Sequence, residues 1–186
     1  MKLIVSIVSL GFLGISASAH AEQRILQQQC KNPTASIIDY GIYEEEIDSQ
    51  HEEHGVAAGY NNMTYNKRLI QSTTDIPGRE NLNFGFRYSL HCEGYNPEEV
   101  PVTIRVLHPK MQNPTSKVEL TVSEWGDNAW TSYLNYHTGF LFNEPWEIVT
   151  GDWTIQVLFK GRKLAEKSFS VSQDTHNPTR DADATK

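Results

Sequence analysis

The stretch Gly151–Val171, GDWTIQVLFKGRKLAEKSFSV, decides the fold of this chain. From Trp153 to Phe159 every second side chain is apolar, and alternate side chains of an extended strand lie on the same face. The polar run Lys160–Lys163 contains a glycine, which supplies the unusual backbone angle of a tight turn. The stretch therefore predicts a β-hairpin with one apolar face. A hairpin alone is only marginally stable in water, so other strands must cover Trp153.

Further segments show the same alternation of apolar and polar residues. The clearest is Leu82–Leu90, in which large apolar residues alternate with small or polar ones. Arg87 has the opposite parity in this segment and is predicted to pair with an acid of a neighbouring strand on the outer face. The other segments are 36–43, 64–70, 102–107, 118–122 and 136–142. The pattern predicts an all-β fold, an immunoglobulin-like β-sandwich of roughly seven or eight antiparallel strands, over residues 36–171.

Four places in the sequence predict interruptions between these strands. The acidic stretch Glu44–Gly59 has no apolar period and predicts a loop. Pro77–Gly78 predicts a turn, and Gly126–Asn128 predicts a break. His108–Pro109 predicts the end of a strand, because proline cannot donate to a sheet ladder.

Both termini are predicted to lie outside the sandwich. Residues 1–21 combine an early lysine, an apolar run and small residues, which indicates a signal peptide cleaved after Ala21. The apolar run is shorter than the about 20 residues of a membrane span, which argues against an uncleaved anchor. The Gln-rich residues 22–35 predict an irregular lead-in, and the polar residues 172–186 predict a disordered tail. The mature protein is therefore predicted to be periplasmic or secreted.

The net charge of the chain limits the classes of partner that it is expected to bind. Without Lys2 the chain carries 15 basic and 23 acidic residues, a net charge of 15 − 23 = −8. An acidic protein without a basic stripe is not expected to bind nucleic acid or an anionic membrane surface. No apolar segment after the signal peptide is long enough to span a membrane. A protein or a small ligand of the cell envelope is the expected partner.

The two cysteines, Cys30 and Cys92, both remain after cleavage of the signal peptide. An even number of cysteines in an oxidising compartment predicts one disulfide. A loop of roughly 60 residues closed in this way stabilises a fold by about 4 kcal/mol in the loop-entropy model. A free buried thiol or a redox site are the alternatives, and the absence of a Cys-x-x-Cys motif weakens the second.

The densest group of metal-ligand side chains lies in the predicted acidic loop. His51, Glu52, Glu53 and His54 provide imidazole and carboxylate groups, which suit Zn²⁺ or Cu²⁺. The two histidines are three residues apart and not four, so they do not match the metalloprotease motif. A solvated acidic loop that keeps the protein soluble is the alternative interpretation, and we favour it.

Aromatic residues are concentrated between positions 125 and 146. Such side chains provide flat contact area for a sugar or a peptide at little entropic cost. The alternative is that they close one end of the sandwich, since tryptophan and tyrosine are usually buried. The candidate contact residues are Trp125, Trp130, Tyr133, Tyr136 and Trp146, with His137 between them.

Motifs of known chemistry are missing from the sequence. It has no Gly-x-Ser-x-Gly elbow, no phosphate-binding glycine loop and no dinucleotide fingerprint. Acidic residues are numerous, but acids in loops do not form a positioned acid–base pair. We therefore expect a protein that is not an enzyme and has no cofactor.

Five short motifs in this order resemble those of one protein family. They are Asp39–Tyr43, Thr74–Pro77, Phe84–Tyr88, His108–Pro109 and Gly151–Trp153. Together they resemble an uncharacterised "domain of unknown function" family of small bacterial proteins. The resemblance implies a compact, β-rich domain that is often exported, and it implies no catalytic residues.

These observations predict an exported, non-catalytic binding or protein-interaction module. One alternative is a periplasmic protein that binds a divalent metal through residues 44–54. A less favoured alternative is an enzyme that acts on a glycan of the cell envelope, or an inhibitor of such an enzyme.

Overall fold

The structure, a computed structural model, describes residues 30–92, 99–131 and 135–174. The predicted signal peptide lies outside these ranges, as do most of the predicted lead-in and tail. Nine strands and one short 3-10 helix, Pro145–Glu147, form the described part. In chain order the strands are β1 (Thr34–Glu52), β2 (Tyr60–Gln71), β3 (Asp75–Gly78), β4 (Asn83–His91), β5 (Glu99–Gln112), β6 (Glu119–Trp130), β7 (Tyr136–Leu141), β8 (Gly151–Phe159) and β9 (Arg162–Gln173).

The strands form two facing sheets, so the predicted all-β, immunoglobulin-like sandwich is confirmed. The first sheet has the order β2-β1-β4-β7, and the second has the order β3-β9-β8-β5-β6. Neighbouring strands are antiparallel except β3, which runs parallel to β9. No helix in the described ranges has the length and apolar composition that crossing a membrane requires.

The predicted hairpin is confirmed as β8 and β9. Lys160 and Gly161 connect the strands with positive φ angles of 49° and 78°, the backbone shape of a tight hairpin turn. Trp153 is fully buried beneath the aromatic residues of the opposite sheet. Its ring lies 5.6 Å from that of Phe84 and 4.9 Å from that of Phe140. This aromatic contact between the sheets forms the centre of the core.

A disulfide joins Cys30 to Cys92, as predicted, with a Cα–Cα distance of 5.9 Å. Both residues are buried. The bond attaches the start of the described chain to the end of β4, so the segment before β1 is held against the sandwich.

Three predicted interruptions are wrong because pairing with a neighbour continues the strand. β5 continues through His108–Pro109, where an irregular register between Leu107 and Met111 requires no donor from proline. β6 continues through Gly126, which lies opposite Thr103 of β5. Pro77–Gly78 forms part of β3, an edge strand, where proline is tolerated.

The predicted loop Glu44–Gly59 is also wrong over most of its length. Residues 44–52 belong to β1, which pairs with β2 as far as Glu52 and Tyr60. A two-stranded ribbon with water on both faces needs no apolar period, so hydrophobic patterning does not reveal it. A bulge between Ile37 and Asp39 leaves Ile38 exposed, although alternation predicts it on the face of Tyr40 and Ile42.

Candidate functional site

The β1–β2 ribbon extends beyond the first sheet as an arm, here defined as residues 44–69. The last β1–β4 pair is Tyr43 with Asn83, whereas pairing with β2 continues to Glu52. The tip of the arm reaches the other sheet. The Glu124 amide of β6 donates to the Gly55 carbonyl over 2.9 Å, and Asn113 Nδ2 donates to the Ala57 carbonyl over 3.1 Å. The arm thus connects the two sheets.

A cavity of about 840 Å³ lies between this arm and the body of the sandwich. The arm contributes eight consecutive residues, 60–67, and β7 with the residue before it contributes 135–141. Trp125, Gly126 and Asp127 of β6 form another part of the wall. The volume is in the range of sites that hold drug-sized ligands. This is the candidate site.

A buried polar cluster joins the arm to β4 at the cavity wall. Asn83 Nδ2 donates to Glu45 Oε1 over 2.7 Å, and Lys67 Nζ lies 3.8 Å from Glu45 Oε2. Asn83 and the Glu45 side chain are each 5% exposed. Burial lowers the pKa of Lys67, although the carboxylates of Glu45 and Asp127 oppose this shift. Burial likewise raises the pKa of Asp127, which Lys67 opposes.

The outer face of β4 carries a second polar group, and it confirms the prediction for Arg87. The Arg87 guanidinium binds the carboxylate of Asp39, its partner on β1, through Nε at 2.9 Å from each oxygen. Tyr43 donates its hydroxyl to the same carboxylate over 2.5 Å. The hydrogen bond from Arg87 lowers the pKa of Asp39, and burial followed by the Asp39 bond raises the pKa of Tyr43.

His137 of β7 lies at the edge of the Tyr43 ring, with centroids 4.4 Å apart. Burial holds the pKa of His137 well below its usual value, so the imidazole is neutral at pH 7. Its Nε2 atom is buried and has no hydrogen-bond partner. A neutral imidazole at the cavity wall provides a donor or an acceptor and no charge.

Five buried side-chain polar atoms of the described residues make no hydrogen bond, and four of them belong to residues that line this cavity. They are Glu45 Oε2, Asn83 Oδ1, His137 Nε2 and Thr138 Oγ1, and the fifth is Tyr88 Oη. Buried polar atoms in proteins are nearly always satisfied, and an unsatisfied one costs about 1–3 kcal/mol. These four atoms lie within the cavity wall and are themselves closed to water.

Some of the predicted aromatic contact residues line the cavity, and others do not. Trp125 and Tyr136 both line the cavity, as does His137. Trp130 is 45% exposed at the end of β6, where its amide donates to the Tyr136 hydroxyl over 2.5 Å. Trp146 lies on the 3-10 helix, packs against the core and does not line the cavity. Tyr133 lies outside the described residues.

The predicted metal ligands do not converge. His51 and Glu52 lie on β1, Glu53 follows it, and His54 lies in the turn at the tip of the arm. The Glu53 carboxylate accepts the Gly55 amide over 3.1 Å, so it serves the turn. Within residues 30–92, 99–131 and 135–174, no three His, Cys, Asp or Glu side chains lie close enough to hold a metal ion.

Sequence patterning did not identify Lys67 or Asn83 as residues of a site, and it included Glu45 only within the stretch 44–54 of possible metal ligands. Asn83 has the parity that normally faces water, and Glu45 belongs to an acidic run that resembles a solvated loop. All three are brought together by the folding of the arm over the sheet. No local pattern in the sequence predicts the contact among these three residues.

Comparison with known proteins places the chain in a structural context. The model of the family "Domain of unknown function (DUF3859)" matches residues 31–171. A crystal structure of an immunoglobulin-like protein from Pseudomonas aeruginosa is similar at 26% identity and a TM-score of 0.56, over 77% of this chain and 98% of that one. A search of curated proteins found no match.

Proposed function

Because the chain belongs to the DUF3859 family of domains of unknown function, whose description assigns no activity, we propose a function from the geometry of the molecule itself. The protein is an exported, non-catalytic binding module. It holds a polar ligand of the cell envelope in the cavity beneath the arm.

One observation carries this proposal. The cavity has the volume of a ligand site, and polar side chains such as Asn61, Thr64 and Asn135 line it. Polar groups placed at the wall of a cavity provide the hydrogen bonds that orient a ligand. The aromatic side chains of Trp125 and Tyr136 add apolar contact area to the same wall.

The charged groups around the cavity support binding in preference to catalysis. Arg87 is held by Asp39, and Glu45 is held by Asn83 and Lys67. A catalytic acid or base needs a carboxyl or imidazole group placed against the reacting atoms. Here Arg87 joins β4 to β1 through Asp39, and Glu45 joins the arm to β4 through Asn83, which are structural uses.

Two observations support export. The first 21 residues have the composition of a signal peptide. The disulfide between Cys30 and Cys92 is of the kind that forms in the periplasm or outside the cell.

The test uses a variant that adds a large side chain at the β6 wall of the cavity. Gly126 lines the cavity and a Cβ atom there meets no atom within 4 Å, so Gly126→Tyr adds a ring at the β6 wall without a backbone clash. Thr121→Tyr is the matched control, because Thr121 is exposed on the same strand and does not line the cavity. Each protein is mixed with fractions of periplasmic extract, separated by size, and its thermal unfolding is followed.

We expect at least one fraction to raise the Tm of the wild type and of Thr121→Tyr, and not that of Gly126→Tyr. A ligand present at about 100 times its Kd stabilises a protein by about 2.7 kcal/mol, which is a shift of several degrees. The proposal is overturned if no fraction shifts the wild type, or if Gly126→Tyr responds equally.

A further inference from the structure

We propose that the ligand of this cavity is an extended polypeptide segment that pairs with the free edge of β7. This inference rests on the proposed function and names the chemical class of its ligand. The segment adds a strand to the first sheet, beside β7 and beneath the arm.

One edge of β7 has no partner strand among residues 30–92, 99–131 and 135–174. β7 is the last strand of its sheet and pairs with β4 in a regular register from Leu141 to Tyr136. The Phe142 amide donates to the Leu82 carbonyl of the β4 side over 3.1 Å. Successive residues of a strand point their N–H and C=O groups to opposite edges. His137, Gly139 and Leu141 therefore direct theirs away from β4, and no described strand meets them.

The cavity follows this edge and also reaches the outer face of β4, where Asn83 and Arg87 line it. A cavity on one face touches alternate residues of a strand, because side chains alternate. Here all residues from 135 to 141 line it, whatever their parity. Opposite them lie residues 60–67 of β2, which is the other edge strand of the same sheet. Six residues of β7 span about 20 Å at 3.3 Å per residue, the length of an ordinary strand.

The two sides of the cavity differ in chemistry, and this predicts the sequence that binds. On the side of the arm the lining is polar and includes Asn61 and Thr64 of β2. On the core side lie Phe140, Trp125 and Met111, all packed against or within the core. A strand beside β7 directs alternate side chains to these two sides. The segment therefore alternates donors, such as Ser, Asn or Lys, with apolar residues.

The probe is a phage-displayed library of random decapeptides, selected on the disulfide-bonded mature protein. Bound clones are counter-selected on Gly126→Tyr, which removes peptides that bind elsewhere. The best peptide is synthesised in two matched forms, with N-methyl groups on alternate residues of one parity or of the other. A panel of soluble envelope glycans is measured in parallel by the same titration.

We expect binders that alternate donor and apolar residues, and a loss of affinity of at least tenfold for only one of the two N-methylated forms. The amides of His137, Gly139 and Leu141 should gain at least tenfold protection from hydrogen exchange on binding, whereas the amides of Thr138 and Phe140 already pair with β4.

The inference is overturned if no peptide depends on the open cavity, or if both N-methylated forms bind like the parent. Binding of a glycan, or of an extract fraction without peptide, would refute the strand-addition inference and leave the proposed function standing. Loss of every cavity-dependent ligand overturns both.

Discussion

The amide of Glu124 on β6 donates to the carbonyl of Gly55 at the tip of the arm, over 2.9 Å. This bond joins the edge of one sheet to a ribbon that belongs to the other. The two backbones are so close that a Cβ atom at Gly55 would lie 1.7 Å from the Glu124 carbonyl oxygen. The arm is therefore held over the cavity by backbone contact, and only glycine permits that contact.

Gly55→Ala should displace the tip of the arm. The added methyl group overlaps a backbone atom, so we expect a loss of about 1–3 kcal/mol in the free energy of unfolding and faster hydrogen exchange at the Glu124 amide. Gly126→Ala is the matched control, because its Cβ meets nothing within 4 Å. Equal stability of the two variants in urea unfolding would contradict the tight contact at the tip.

Asn83 and Glu45, which share a buried hydrogen bond, should show a large coupling free energy. In a double-mutant cycle of Glu45→Ala and Asn83→Ala, we expect a coupling free energy of about 1.5–3 kcal/mol, since the bond joins a charged group to an amide away from water. Gln156 and Glu166 form the same amide–carboxylate bond at the surface, 2.6 Å long, and serve as the control pair. A surface pair is expected to couple by less than about 1 kcal/mol. Similar values for both pairs would refute the role of burial.

Removal of the disulfide should destabilise the sandwich without changing its fold. Cys30→Ala with Cys92→Ala opens a loop with a sequence separation of 62 residues. We expect a loss of about 4 kcal/mol in urea unfolding, because the unfolded chain regains the entropy of that loop. The wild type in reductant should lose stability to the same extent. An unchanged midpoint in both experiments would show that the bond contributes nothing.

Glu147 should make the protein less stable as the pH rises from about 4 to 7. Its carboxyl group is 2% exposed, and desolvation raises its pKa to about 7. The folded state therefore binds a proton that the unfolded state has already released, which lowers the free energy of unfolding by up to about 3 kcal/mol above pH 7. Glu147→Gln removes this loss. Its stability, measured by urea unfolding across that pH range, should decline less steeply than that of the wild type.

The exposed Glu80 provides the control for this slope. Glu80→Gln makes the same substitution at the surface and controls for the loss of one acidic side chain. A wild-type slope in Glu147→Gln would refute the raised pKa.

Export should remove the first 21 residues. When the complete chain is produced in a bacterium with its own N-terminus, we expect periplasmic protein that begins at Glu22 and carries the disulfide. Mass spectrometry of the periplasmic and cytoplasmic fractions measures both features. A full-length protein retained in the cytoplasm would contradict export and leave the binding proposal unaffected.

The alternation of apolar and polar residues predicted the core strands well, because a strand that buries one face needs that alternation in its own sequence. All five apolar residues of the segment Leu82–Leu90 are buried, as are the four that alternate from Trp153 to Phe159. The same rule failed where a neighbour supplied the stability. β6 crosses Gly126 because β5 pairs with it, and the arm forms in an acidic run because β2 pairs with β1.

The candidate site was predicted only in part for the same reason. Trp125, Tyr136 and His137 belong to the aromatic segment that the sequence singles out, and they do line the cavity. Glu45 and Asn83 are 38 residues apart and look like surface residues in the sequence. Their burial depends on the arm, so no local pattern identifies them.

The sequence by itself determined the fold class, the core strands, the hairpin and the pairing of two cysteines. Each follows from the local alternation of apolar and polar residues, from turn residues or from the number of cysteines. Burial of apolar area stabilises strands with that alternation wherever they pair. Only the tertiary structure decided where the arm lies, which polar atoms it buries and that β7 is the last described strand of its sheet, beside a cavity. Those features depend on contacts between distant residues, Gly55 with Glu124 and Glu45 with Asn83, and contacts of that kind leave no periodic signal along the chain.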